Sequence, residues 1–243
     1  MRKIRYLLFL LPFFFGLATP AKATLLTVRE SGEIVWKVLS SEDSLALNTP
    51  QRESLTVKEV AVGGNIDSEK TISLLRDGDK FKLTVNSPDG EKDLDVTDIS
   101  GELIEIEERP QVKKIQIGHQ GDKFIIQQGD TMALTDFPID INPTKAEISV
   151  LTQSGLRFLA VLPKDALDGV LKAKVLNKIN TNGINLLEKD QELTYDIDGF
   201  RTLNVFNLFN YDVPVKASVS AVNGEIIFVE QPQWLRVIGF IFS

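Results

Sequence analysis

The sequence predicts a mainly β protein of antiparallel sheets, with a C-terminal α+β module carrying one helix near residues 164–176. Three observations predict this. Apolar and polar side chains alternate with a period of two from Thr24 onward, in runs bounded by glycine turns. Asp77-Gly78 and Asn223-Gly224 are hairpin dipeptides, because both residue types in each accept φ > 0. The period changes clearly only once in the chain beyond residue 23. Over Pro163–Leu176, the residues Ala166, Leu167, Val170, Leu171 and Leu176 fall near one helical stripe.

A further helix is expected in residues 1–23, which read as a secretory signal peptide. Arg2, Lys3 and Arg5 form a basic start, Tyr6 to Leu17 is almost purely apolar, and Ala21-Lys22-Ala23 offers small residues where a signal peptidase cuts. The apolar run is shorter than the about 20 residues needed to cross a ~30 Å hydrocarbon core. The expected location is therefore secreted or extracytoplasmic, with an uncleaved N-terminal membrane anchor as the alternative. Beyond Ala23 the chain holds 23 basic and 34 acidic side chains, a formal charge of −11. So acidic a chain is repelled by phosphate backbones and anionic headgroups, which argues against nucleic acid as a partner. The absence of cysteine excludes disulfides, thiol catalysis and thiolate metal sites, and in an exported chain of this size it points to a bacterial source.

In order, Leu26–Arg29 and Glu33–Val38 read as a hairpin across Ser31-Gly32. Residues 40–54 read as a polar loop, and Leu55–Val62 as a strand. Thr71–Leu75 and Lys80–Val85 form a hairpin, followed by strands at Lys92–Thr97 and Glu102–Glu107. Glu107-Glu108-Arg109-Pro110 is the candidate boundary between an N-terminal β domain, 24–108, and a C-terminal α+β domain, 111–243, because proline cannot donate to a central ladder. A bend in one continuous sheet is the alternative. Strands are expected at Val112–Ile117, Asp122–Gln127, Met132–Leu134, Glu147–Thr152 and Leu156–Leu162. Pro163 suits the first turn of the helix, and Asp165 and Asp168 suit its dipole. Strands resume at Ile184–Leu187, Glu192–Ile197, Thr202–Phe206, Pro214–Val222 and Glu225–Val229, and the apolar tail Trp234–Phe242 reads as a last strand.

The helix at 164–176, the strand Leu193-Thr194-Tyr195-Asp196-Ile197 and the strand-to-turn run Val219-Ser220-Ala221-Val222-Asn223-Gly224-Glu225-Ile226 follow one another in an order that resembles the PepSY module of bacterial envelope proteins, over residues 163–230. That family packs a helix on an antiparallel sheet. Ser220 stands where it usually has aspartate, Asn223 where it has threonine, and the insertion around Phe200–Asp212 is longer. The resemblance implies a non-catalytic role, such as restraining a peptidase or sensing at the cell surface. Residues 24–162 carry no such resemblance.

Catalytic signals are sparse. His119, the single histidine, lies in Gly118-His119-Gln120-Gly121 and is expected to be exposed in a turn. No serine sits in a G-x-S-x-G elbow or three residues before a lysine. Asp93 with Asp95, and Asp196 with Asp198, are same-face pairs of the kind glycoside hydrolysis needs, but such pairs also decorate solvated sheet faces. One histidine without cysteine argues against a zinc or iron site, and Asp196-x-Asp198-Gly199 lacks the later bidentate acid of a calcium loop. The sequence thus calls for no cofactor and no catalytic residue.

The aromatic C-terminal quarter offers a different signal. Phe200, Phe206, Phe209, Tyr211, Trp234, Phe240 and Phe242 either fill the core under the helix or form a patch, with Trp234, Phe240 and Phe242 as the candidate contacts to a partner or membrane. The function expected is an exported, non-enzymatic binding module with a protein partner at the cell envelope and peripheral membrane contact through the tail. The alternatives are a structural or adhesion β-protein and a carboxylate-dependent hydrolase.

Overall fold

The computed structural model describes residues 24–40, 56–61, 70–88, 90–110, 113–205 and 209–238. The expected signal segment, most of the loop 40–54, Phe206, Phe240 and Phe242 lie outside the described residues.

The chain is mainly β, as its alternation predicts, and the strands fall into two sheets. The larger begins with β1 (Leu26–Val28), β2 (Ile34–Ser40) and β3 (Thr56–Ala61), which pair antiparallel. β1 also pairs with β7 (Gly101–Ile106), and this contact is parallel. From β7 the sheet continues through β8 (Ile115–Gln120), β9 (Lys123–Gln128) and β10 (Thr131–Thr135). A second parallel contact joins β10 to β14 (Lys178–Lys189), and β15 (Glu192–Val205), β16 (Phe209–Ser220) and β17 (Ile226–Glu230) complete the sheet. The sheet is therefore mixed where purely antiparallel pairing was expected. Local turn signals show only neighbours in sequence, whereas β1–β7 and β10–β14 are joined by long excursions through other strands.

The smaller sheet runs β13 (Gly155–Phe158), β12 (Glu147–Thr152), β11 (Ile139–Asn142), β4 (Thr71–Asp77), β5 (Lys80–Ser87) and β6 (Gly90–Asp95). β11 pairs with β4, and β7 pairs with β8, so segments 24–108 and 111–243 contribute strands to both sheets. Arg109, placed in the candidate boundary, ties them further. Its guanidinium donates to the carbonyls of Arg29 (3.0 Å), Pro143 (2.6 Å) and Thr144 (2.9 Å).

The apolar sides of the sheets meet in one core. Leu26, Ile104, Ile117 and Phe124 of the large sheet are buried with Ile72, Leu83, Ile139 and Val150 of the small one. Each such side chain stabilises the fold by about 1.5–3 kcal/mol relative to exposure. Close backbone contact shapes the pairing as well. A Cβ at Gly118 would sit 1.7 Å from the Gly101 carbonyl oxygen, where β7 and β8 shift register. Only glycine permits that approach.

The helix α1 (Pro163–Lys172) packs against β9, β10, β15 and β16 and buries Ala166, Leu167 and Val170. It stops short of the expected Leu176 because Lys174 adopts φ 54, a left-handed conformation that ends a helix. The tail also departs from expectation. Its described part forms a short helix, α2 (Gln233–Ile238), instead of a strand. Pro232 just before it cannot donate to a ladder, and Leu235 N–H closes a turn on the Pro232 carbonyl.

Candidate binding surface

β15 and β16 are the longest antiparallel pair, and they outrun their neighbours. β14 first meets β15 at Lys178 opposite Phe200, and β17 last meets β16 at Glu230 opposite Lys216. Beyond those points Arg201–Val205 pairs with Phe209–Val213 as a ribbon with no further strand beside it among the described residues. An isolated two-stranded ribbon is marginal in water unless one face is covered.

The ribbon, or arm, is amphipathic because opposed residues share a face. Arg201, Leu203, Tyr211, Phe209 and Val213 occur on one face; Thr202, Asn204, Asn210 and Asp212 occur on the other. The polar face is tied down. Thr202 Oγ1 donates to Asp212 Oδ1 at 2.6 Å, and Lys178 Nζ donates to Asp212 Oδ2 at 2.7 Å. The Lys178 ammonium first, then the Thr202 hydroxyl, hold the Asp212 carboxyl below its usual range.

α2 covers only part of the apolar face. Leu203, Val213 and Leu235 bury one another in a small cluster separate from the main core. Further along, Phe209 is 59% exposed and Tyr211 52% exposed, and Trp234 of α2 leans against Tyr211 with ring centroids 6.4 Å apart. Trp234 is itself 42% exposed. Of the three predicted contact residues, Trp234 is thus at the surface, and Phe240 and Phe242 lie outside the described residues. The structure adds Phe209 and Tyr211. The sequence left both open between core and exposed patch.

An open groove of about 720 Å³ lies at the arm's base, lined by Asp198, Lys216, Glu230, Pro214 and Gln231 among others. Two of its charges are paired, with Lys216 Nζ 3.5 Å from Asp198 Oδ1. Beside it, Asp196 is buried, with Lys189 Nζ at 2.6 Å from both its oxygens and the Ser218 hydroxyl donating at 2.8 Å. Asp196 and Asp198 do share a face, and each is paired with a lysine, Asp196 with Lys189 and Asp198 with Lys216.

Asp93 and Asp95 likewise lie together on β6, whose six residues are all exposed. Lys82 binds Asp93 at 2.6 Å and lowers its pKa, with help from the Thr84 hydroxyl. Hydrogen bonds from Thr97 lower that of Asp95. Neither carboxyl is biased toward the protonated form that glycoside hydrolysis needs in its general acid.

His119 overturns its expectation. It lies inside β8, is buried, and stacks on Phe81 of the small sheet with centroids 4.0 Å apart and planes 3° from parallel. Its Nε2 is 3.0 Å from the Val96 carbonyl oxygen. The turn begins only at Gly121-Asp122, so His119 keeps its strand face and serves packing between sheets. Tyr195 is similarly structural. Its hydroxyl donates to the Val161 carbonyl at 2.9 Å, and burial pushes the phenol pKa up.

Among the described residues no group of three or more His, Asp or Glu side chains is arranged to hold a metal ion, and no helix is long and apolar enough to cross a membrane. Comparisons with protein-family models, curated proteins and solved structures find no match.

Proposed function

We propose that this chain is an exported, non-catalytic binding protein of the cell envelope, and that it docks through the aromatic face of the β15–β16 arm. The observation carrying this reading is that Phe209 and Tyr211 of the ribbon, with Trp234 of α2 beside them, remain 42–59% exposed, whereas the ribbon's nearer apolar residues, Leu203 and Val213, are buried. Exposed aromatic clusters on rigid supports are the usual anchors of interfaces. The basic, apolar and small-residue succession of residues 1–23 supports export.

The PepSY resemblance of residues 163–230 in sequence supports the non-catalytic part of the reading; α1 itself packs against β9 and β10 as well as β15 and β16. Fold likeness does not itself specify a partner.

The test uses immobilised protein and solubilised envelope extract of the source cells. Wild type and a Leu94→Asp control on β6 are expected to retain the same component, and Phe209→Asp/Tyr211→Asp to lose it while melting at the wild-type temperature. Equal capture by all three proteins would contradict the assignment of the arm.

A further inference from the structure

Resting on the docking role of the arm, we infer that the surface it fits is a lipid one: the arm inserts its aromatic end into the interfacial layer of an uncharged or zwitterionic bilayer. The first observation is charge. The whole chain is acidic, yet residues 202–211 contain no charged side chain. An acidic protein approaches a membrane most easily by an end that carries no acid.

The second is chemistry. Tyrosine and tryptophan sit at the boundary of headgroup and acyl chain, where ring and polar atom are both satisfied, and Tyr211 and Trp234 are adjacent here. The opposite ribbon face presents Asn204 and Asn210, neutral amides able to hydrogen-bond headgroup oxygens, and Asp212 is already neutralised by Lys178 further back. The third is order along the arm. The apolar face is buried by Leu235 near the body and exposed at Tyr211 and Phe209 further out, so insertion would be limited to the outer rings. Such shallow anchoring depends on apolar area with little need for anionic lipid.

The experiment follows protein recovered after export on phosphatidylcholine vesicles, with and without phosphatidylglycerol, by sedimentation and by tryptophan emission. Trp36→Phe leaves Trp234 as the single reporter. The inference predicts binding to pure phosphatidylcholine, a blue shift of Trp234 emission, and insensitivity to salt. Phe209→Asp/Tyr211→Asp should weaken partition at least about tenfold and abolish the shift. Because retained residues 1–23 would also partition, the Trp234 shift and its loss in the arm variant are the deciding readouts. Binding only to anionic vesicles, reversed by salt, would overturn the inference. So would absent vesicle binding alongside arm-dependent capture of a protein, which leaves the docking role intact. If neither vesicles nor capture depends on the arm, both readings fall.

Discussion

The two-sheet body and the two-stranded arm use aromatic side chains in opposite ways. In the body, Phe81 lies flat on His119 and edge-on to Phe124 at 5.3 Å, and all three rings are buried. In the arm, Phe209, Tyr211 and Trp234 are close to half exposed or more. Both regions are built of continuous antiparallel pairing, so the difference comes from the layer above. The packed sheets cover Phe81, His119 and Phe124, whereas a single short helix covers only the first residues of the arm. Single exposed rings such as Phe158 and Phe228 also occur on the body, but among the described residues they lack the adjacent ring that Trp234 gives Tyr211. Folding accounts for the buried trio of the body and leaves the arm's outer rings without a comparable packing role. Elsewhere the molecule shows that exposed β structure need not be apolar: β6 meets solvent with Glu91, Lys92, Asp93 and Asp95, the charged style that discourages unwanted strand pairing.

The contrast is broken most severely at the body's closest contact. Gly118→Ala should cost about 4 kcal/mol or more, because its Cβ would overlap the Gly101 carbonyl and part β7 from β8. Thermal unfolding would show it, and a melting temperature near wild type would contradict the tight pairing. Next in size is the paired comparison of rings. Phe124→Ala is expected to lose about 3–5 kcal/mol. Phe209→Ala should stay within about 0.5 kcal/mol of wild type in the same denaturant titration.

Arg109→Ala removes three donations to carbonyls and is expected to cost about 1.5–3 kcal/mol by urea unfolding. Leu235→Ala sharpens the comparison locally. Amide exchange should accelerate in 201–213 while β8 and β9 keep their protection, as separate opening of the arm requires. The smallest effect is acid. Folded Asp93, Asp95 and Asp212 titrate below their usual 3.8, so the unfolded chain binds their protons first. Their contribution is present above that value and fades as pH falls through the lower folded values. A melting temperature that rose as pH fell below about 3.8 would contradict these pairings.

Much of the fold was legible because strands and turns are local. Asp77-Gly78 and Asn223-Gly224 mark hairpins that form, and Pro163 marks the first residue of α1. The pairings of β1 with β7 and β4 with β11 were not legible, since nothing in either strand of a pair identifies its distant neighbour. His119 was misplaced because glycines on either side suggested a turn, whereas Gly118 is there for its contact with Gly101. At the candidate site Trp234 was readable from its apolar surroundings. Phe209 and Tyr211 were ambiguous, because an amphipathic ribbon has the same alternation whether its apolar face is covered or open. Coverage is a property of the whole chain.

The central claim, that the arm is the docking surface, is tested most directly in the intact cell. A photo-crosslinking phenylalanine analogue replaces Phe209 in one protein and Leu94 of β6, 39% exposed, in another. The account predicts discrete adducts, to lipid or protein, from position 209 and none above background from position 94. Equal adducts from both positions, or adducts from 94 alone, would contradict it.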